Sequence, residues 1–237
     1  MHFPRPLVRG ILLKRYKRFL ADIRLPDGTL TTAHCANPGS MLGVAEPGSE
    51  VWLLPSADPR RKLAWSWELI RVGDALVGIN SAHPNRLAAE AIAAGRIPEL
   101  SGYERVRREV AYGRASRIDL LLEGQGRPIC YVEVKNVHLR RGDAAEFPDS
   151  VTARGAKHLG ELGAMAAAGH RAVMLYVVQR GDCSRFAIAA DIDPVYAIAF
   201  AQARAAGVEM LCYYCLVDTE AIEIKAPLRI AAGDVDE

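Results

Sequence analysis

The pattern of apolar and polar residues changes near residue 81, and this change constrains the fold more than any other feature of the chain. Before it, short apolar segments separated by turn signals predict strands at 7–13, 19–25, 29–35, 50–55 and 63–79, the last one broken at Gly73-Asp74. After it, an alanine-rich segment predicts a helix over 85–95, with Asn85 as its cap and Gly95 as its end. The sequence therefore predicts an OB-type small β-barrel over residues 1–81 and a second domain after it.

The second domain is predicted to be a mixed α/β domain over residues 82–230. Strand-like segments occur at 107–112, 116–122, 129–137, 171–179 and 208–217, and helix-like segments at 150–168 and 194–206. Strands that alternate with helices predict parallel pairing through right-handed crossovers. The last segment, 231–237, is small and acidic, and we expect it to be frayed.

Composition excludes several classes of protein. Half of the residues are hydrophobic, and the 30 Lys and Arg residues nearly balance the 28 Asp and Glu residues, which excludes a disordered chain. No apolar run approaches the roughly 20 residues needed to cross a bilayer, so no membrane association is expected. The five cysteines are scattered and odd in number, which favours a reducing cytoplasm. Oligomeric state is left open by the sequence.

The first 21 residues carry six basic side chains and no acidic one, with Tyr16 and Phe19 between them. Basic groups interleaved with aromatic rings are typical of nucleic-acid binding. The alternative, equally weighted, is an edge strand that carries charges against aggregation. The predicted DNA contacts in this segment are Arg9, Lys14, Arg15, Lys17 and Arg18.

Two apolar segments that carry acids are the most informative part of the chain. Asp119 lies in the first, and Glu133 and Lys135 lie in the second. Because side chains alternate along a strand, Glu133 and Lys135 share one face while Val132 and Val134 bury the other. A turn centred on Gln125 would place Asp119 opposite Tyr131, with Glu133 as its diagonal neighbour at roughly 7 to 8 Å.

Two carboxylates on an apolar hairpin are costly unless a positive charge compensates them. Their oxygens suit Mg²⁺, or Mn²⁺, and a divalent cation that activates water serves phosphodiester hydrolysis. Lys135 would orient the attacking water. The other interpretation is an ordinary salt bridge on a solvated hairpin.

Flanking helices add further candidates. Glu90 in the preceding helix would be a further ligand or supporting acid, and Arg154, Lys157 and His158 in the following helix would contact phosphate. Each of these is, alone, more often part of a solvated helix face. Their order along the chain favours a functional site.

This order of parts resembles the core of the PD-(D/E)XK nuclease superfamily, and the fuller set of motifs is similar to the sugar fermentation stimulation protein family (SfsA). The matching segments are HCANPGSM at 34–41, PNRL at 84–87, EVAYG at 109–113, SRID at 116–119, YVEVKNV at 131–137, FPDSVTARGAKHL at 147–159 and RAVMLYVVQR at 171–180. The resemblance implies an OB-type domain, a nuclease-like domain, DNA binding without strong sequence preference, and a link to the regulation of sugar use.

The resemblance also implies roles for particular residues. The metal-binding acids of the superfamily fall on Asp119 and Glu133, its lysine on Lys135 and its optional helix acid on Glu90. Two positions depart from the usual motifs, because Ile118 precedes Asp119 where proline is common, and Ala36 stands where the family usually has proline.

Two functions remain open at this point. The first is a DNA-binding, Mg²⁺-dependent phosphodiesterase with Asp119, Glu133, Lys135 and Glu90 at its catalytic site. The alternative is a non-catalytic regulatory protein that binds DNA on an inherited nuclease fold. The pair Cys212 and Cys215 is interpreted as core cysteines, because positions three apart on a strand point to opposite faces. The sequence contains no glycine-rich phosphate-binding loop, so nucleotide hydrolysis and hydride transfer have no support.

Overall fold

The computed structural model describes residues 1–112 and 116–231, so the predicted acidic tail lies, apart from its first residue, outside the described residues. Within these ranges the chain forms sixteen strands and three α-helices. None of the described helices is long and apolar enough to span a bilayer.

The first part of the chain is a closed barrel followed by a short strand. Its strands are β1 Val8–Tyr16, β2 Leu20–Arg24, β3 Leu30–Cys35, β4 Glu50–Pro55, β5 Trp65–Val72 and β6 Ala75–Gly78. They are ordered β3-β2-β1-β4-β5-β6, and a pairing of β3 with β5 joins the ends of the five-stranded part. The closing pairs are His34 with Ser66 and Cys35 with Trp67. Trp67 is fully buried at the centre of the barrel core. The OB-type prediction is confirmed.

The second part of the chain is a mixed α/β structure. Its elements are α1 Pro84–Ala93, β7 Arg105–Tyr112, β8 Ser116–Glu123, β9 Cys130–Val137, β10 Leu139–Arg141, β11 Ala144–Phe147, α2 Ala153–Ala167, β12 Arg171–Val178, β13 Arg185–Ile188, α3 Pro194–Ala205, β14 Glu209–Val217, β15 Ile222–Pro227 and β16 Arg229–Ile230. The main sheet has the order β15-β14-β12-β9-β8-β7, and β10, β11, β13 and β16 form a second sheet. The pairs β9–β12 and β12–β14 are parallel, as expected for helical crossovers.

The main sheet is covered on both faces. Leu87 of α1 packs with Val132 and Val134 in one core, while Leu159 of α2 and Phe200 of α3 pack in a second core on the other face. The alternation predicted for β9 is therefore confirmed, because its valines at 132 and 134 face α1 and its acid-bearing positions face α2. Cys212 and Cys215 are buried and belong to different cores, as the strand pattern predicted.

Two local expectations differ from the structure. The first helix begins at Pro84 after His83, so Asn85 lies inside the first turn and does not cap it. Proline at the first helical position explains this start, because its fixed φ suits a helix and its missing N–H is not needed there. The short strands of the second sheet were not predicted, since three or four residues carry too little periodicity.

Candidate functional site

The register of the β8–β9 hairpin differs from the predicted one. Leu120 pairs with Val132 and Leu122 with Cys130, which shifts the hairpin by two residues and brings Asp119 into line with Glu133 rather than Tyr131. The expected register is wrong because the turn pivots on Gly126, whose φ of 70° suits glycine. The acids are consequently closer in register than the sequence analysis predicted.

Asp119 lies just past the last paired residues of the hairpin. One of its oxygens, Oδ2, accepts the N–H of Val134 at 2.8 Å, and the other, Oδ1, accepts the side-chain amide of Asn85 at 2.7 Å. Burial raises the pKa of Asp119, and the nearby charge of Glu133 raises it further, against the lowering effect of these hydrogen bonds. Asp119 is thus a carboxylate whose negative charge is incompletely compensated.

Glu133 is almost completely buried in the middle of β9. Its Oε1 atom accepts Lys135 Nζ at 2.8 Å and also contacts His158 Nδ1. Its Oε2 atom has no hydrogen-bond partner among the described residues. Burial alone would raise the pKa of Glu133, but the hydrogen bond from His158 and the charge of Lys135 outweigh it and lower the pKa. The ionised carboxylate therefore presents one free oxygen in a buried place.

His158, on α2, links the acids to the basic helix. Its Nε2 atom accepts from Arg154 Nε at 3.3 Å, while Nδ1 faces Glu133 and lies 3.3 Å from Lys135 Nζ. His158 therefore holds the Glu133 carboxylate in place from α2. His158 is buried, and its predicted role as a phosphate contact stays a prediction.

A cleft of about 340 Å³ adjoins these residues. Glu109 and Arg117 come from the β7–β8 side, and Arg154, Lys157 and His158 come from α2. Lys157 also lies 3.5 Å from Glu161 one helical turn further on. Arg154 and Lys157 give this cleft a basic wall, and Glu109 is the acid among its lining residues. Basic side chains in a cleft suit a phosphate group.

Sequence reasoning missed Glu109 and Asn85. Glu109 has a φ of 52°, and it lies between the pairs Arg108–Leu120 and Val110–Ile118, in register with Asp119 on the neighbouring strand. Asn85 donates to both Asp119 and Glu109, at 2.7 and 3.4 Å. The left-handed backbone of Glu109 leaves no signal in the residue pattern, whereas Asn85 could have been found from its place in the first turn of a helix before the acidic hairpin.

The predicted role of Glu90 requires a correction. Its carboxylate pairs with the amino group of Met1 at 3.0 Å and with Arg86 at 2.7 Å, and it shares a separate cleft with Glu223. Five residues of helix rotate it by about 140° from Asn85, which is the residue that reaches Asp119. Glu90 therefore does not join the acidic cluster.

The basic residues of the barrel fall into three groups. Arg9 pairs with Glu50 and Lys14 with Asp22, so their charges are partly compensated. Arg15 donates to main-chain oxygens of the 36–41 loop, including that of Gly39 at 2.8 Å. Lys17 and Arg18 are exposed at the β1–β2 turn.

The segment 36–41, which follows β3, contacts the second domain. Asp149 accepts the N–H of Met41 at 2.8 Å and pairs with His138 at 3.2 Å. Asn37 donates to the carbonyl of Ile79 at 2.8 Å. Burial would raise the pKa of Asp149, but the His138 hydrogen bond and charge, with the Met41 N–H, lower it to about 2. This loop has a structural role at the junction, and Asp149 is an acid whose oxygens are satisfied.

The comparisons with known proteins fit this geometry. The profile described as "SfsA N-terminal OB domain" matches residues 13–79, and "Sugar fermentation stimulation protein RE domain" matches residues 82–221. The fold and the hairpin thus define a two-domain protein in which an OB barrel precedes an α/β domain with an acid, acid and lysine cluster. The chain belongs to the sugar fermentation stimulation protein family, as its motifs predicted.

Individual relatives cover almost the whole chain. A sugar fermentation stimulation protein homolog from Paramagnetospirillum magneticum is 62% identical over 97% of this chain and 98% of its own length. A homolog from Rhodospirillum centenum is 60% identical over 98% of this chain and 100% of its own length. The solved structure of Pyrococcus furiosus SfsA in complex with Ca²⁺ superimposes with a TM-score of 0.88 and 26% identity, covering 98% of this chain and 99% of that one.

Proposed function

We propose that this protein binds DNA in the cytoplasm, without strong sequence preference, and cleaves it as a Mg²⁺- or Mn²⁺-dependent phosphodiesterase. The observation that carries the proposal is the free Oε2 atom of Glu133, buried in the same cluster as Asp119. A buried oxygen of an ionised carboxylate without a donor is rare, because no interaction within the protein offsets the free-energy cost of its lost hydration. A cation bound to Oε2 of Glu133 would offset this cost.

The residues present fit a hard divalent cation. Carboxylate oxygens are the ligands that Mg²⁺ prefers, and Asp119 and Glu133 supply them. No cluster of three or more His, Cys, Asp or Glu ligands occurs in residues 1–112 and 116–231, so water or phosphate oxygens would complete the shell, as is usual for Mg²⁺. The Ca²⁺ complex of the archaeal relative supports a divalent cation here. When bound, the cation would polarise the phosphate and lower the pKa of the attacking water.

The other residues of the cluster have separate tasks in this proposal. Lys135, beside Glu133, orients the attacking water and offsets the charge that develops on phosphate. His158 and Asn85 hold the two acids in place. Arg154 and Lys157, on the basic wall of the cleft, bind the phosphate backbone.

A non-catalytic DNA-binding protein is the second candidate. The observation in its favour is that Lys135 and His158 already compensate Oε1 of Glu133, so part of the acidic charge is neutralised within the protein. A cluster of this kind can persist as a structural remnant of a nuclease fold. In either case, the shared name of the relatives motivates a link to the regulation of sugar use.

Incubation of the purified protein with labelled single-stranded, duplex and branched DNA tests the proposal. We expect cutting that requires Mg²⁺ or Mn²⁺ and is lost in Glu133→Ala, with Glu90→Ala as the matched control that keeps it. Glu90 suits this purpose because it is a glutamate outside the acidic cluster. Binding of all three DNAs without cutting, with each metal, would contradict the phosphodiesterase and favour the second candidate.

A further inference from the structure

An exposed aromatic pair lies at one end of the barrel, where the β1–β2 turn meets β3. The ring of Phe19 is 43% exposed, and its centroid lies 6.5 Å from that of His34, with 23° between the planes. The Phe19 carbonyl accepts the N–H of Cys35 at 2.9 Å, which anchors the turn against β3. We call Phe19 and His34 the stacking platform.

Positive charges flank the stacking platform on two sides. Lys17 and Arg18 form the exposed turn that precedes Phe19, and both have left-handed φ values, 46° and 64°. From the other side, Arg61 donates to Ser66 at 3.0 Å, and Ser66 is the residue paired with His34. Partial burial, and next the charge of Arg61, lower the pKa of His34. The lowered pKa favours the uncharged form of the ring, which stacks as a neutral aromatic group.

Packing does not account for the exposed ring. Phe19 contributes to none of the three hydrophobic cores of the described residues, whereas Trp65, nearby on β5, packs against the barrel core. A single exposed aromatic residue needs no explanation. A second ring parallel to it, with a guanidinium on one side and two further cations on the other, is the combination that binds bases and phosphates together.

This combination discriminates between forms of nucleic acid. In a duplex the flat faces of the bases are covered by their neighbours, so only an unpaired base can lie on an exposed ring. Base stacking on an aromatic side chain contributes about 1 to 3 kcal/mol for each base. The platform therefore selects single strands, while cations alone would bind both forms.

A continuous line of contacts leads from the platform to the acidic cluster. His34 pairs with Ser66, and Glu68, two residues further along β5, accepts His83 at 2.7 Å. His83 precedes α1, whose Asn85 contacts Asp119 at 2.7 Å. β5 and the first turn of α1 thus link the stacking platform to the acidic cluster.

We propose that Phe19 and His34 stack an unpaired base of single-stranded DNA, with Lys17, Arg18 and Arg61 on its phosphates, and so present a single strand to the second domain. This inference rests on the proposed DNA-binding function and adds the substrate class. It concerns binding alone, so it does not depend on cleavage.

Fluorescence anisotropy with labelled oligothymidylate, and with a duplex of equal length, in EDTA tests the inference. We expect Phe19→Ala to weaken single-strand binding about 10-fold or more and to leave duplex binding within about twofold. Phe19→Trp should restore single-strand affinity, because a larger ring stacks at least as well. Leu30→Ala is the matched control, since Leu30 is also an exposed apolar residue of the barrel but lies at the other end of β3.

Three results would overturn the stacking role. The first is that the wild-type protein does not bind oligothymidylate, and the second is that Phe19→Ala binds it with the affinity of wild type. The third is that Phe19→Ala loses equal affinity for the single strand and for the duplex. Because EDTA removes divalent cations, failure of the phosphodiesterase proposal leaves the binding result intact. Conversely, Phe19→Ala could cut DNA in the presence of metal and bind single strands with the affinity of wild type. That result would contradict the stacking role of Phe19 and leave the phosphodiesterase proposal standing.

Discussion

Asp119 and Asp149 are both half-buried aspartates that accept a main-chain N–H at 2.8 Å, yet their electrostatic surroundings are opposite. Asp149 faces His138, and its pKa falls to about 2. Asp119 faces Glu133, and its pKa rises. The first acid is compensated by the protein itself, whereas the second is compensated only in part by Val134, Asn85 and Lys135. In the proposed function a bound cation would supply the rest.

In the proposed function, this difference separates a structural acid, Asp149, from a metal-binding one, Asp119. The Asp149 network joins the 36–41 loop to the second domain and stabilises the junction. The Asp119 and Glu133 pair costs stability in the absence of a cation, because two like charges share a buried place. Pairs of this kind, whose pKa values are shifted by burial and by like charge, occur mostly at functional sites.

The largest expected effect is on the free energy of unfolding. Asp149→Asn removes the negative partner of His138 at a buried position, which should cost about 3 kcal/mol. Asp119→Asn should cost less than about 1 kcal/mol without metal, because it also removes repulsion from Glu133. Urea denaturation in EDTA measures both, and equal losses would show that the two aspartates are equivalent.

The affinity for divalent cations should also distinguish the two variants, but here Asp119→Asn should show the larger loss. Asp119→Asn should weaken Mg²⁺ binding by about 100-fold, or about 2.8 kcal/mol, because a charged ligand becomes neutral. Asp149→Asn should bind Mg²⁺ like wild type, provided that it is folded at the temperature used. Titration calorimetry gives both constants, and an unchanged affinity in Asp119→Asn would remove this residue from the metal site.

The contribution of Asp149 should depend on pH with a defined sign. The pKa of Asp149 in the folded protein, about 2, is below its ordinary value of 3.8, so its contribution is present above about pH 4 and is lost as the pH falls towards 2. The difference in unfolding free energy between wild type and Asp149→Asn should therefore narrow over this interval. Urea denaturation at a series of pH values tests it, and a constant difference would mean that the carboxylate charge contributes nothing.

The smallest expected effect concerns the basic residues of the barrel. Replacing Lys17 and Arg18 with alanine should reduce the slope of log affinity against log salt by about 2, since each free cation releases about one counterion. Replacing Arg9 and Lys14 should change the slope by less than half as much, because Glu50 and Asp22 already compensate these charges. DNA binding measured at several salt concentrations distinguishes the pairs, and equal slopes would contradict this assignment.

Much of the fold could be predicted from the sequence because its signals are local. The barrel strands are marked by apolar runs between turn residues, and the crossover helices by their alanine-rich stripes. The alternation on β9 was sufficient to place Glu133 and Lys135 on one face. The second sheet was not predictable, because strands as short as Leu139–Arg141 depend on neighbours far away in the chain.

The site was predicted in part, for the same physical reason. Asp119, Glu133 and Lys135 are brought together by one hairpin, so their proximity follows from local alternation and a turn. The partners that hold them, Asn85 and His158, come from two helices on opposite faces of the sheet, and their contacts depend on helix rotation. Glu90 and Asn85 lie about 140° apart around α1, and the sequence pattern does not tell which of them faces Asp119. The positive φ of Glu109 has no sequence signal at all.

Anomalous diffraction from crystals of the protein soaked in Mn²⁺ tests the central claim most directly. The account predicts a peak bounded by a carboxylate oxygen of Asp119 and the free Oε2 of Glu133, lost in crystals of Asp119→Asn, and no peak at Asp149. A peak at Asp149, or none near the hairpin at a concentration that supports cleavage, would contradict it.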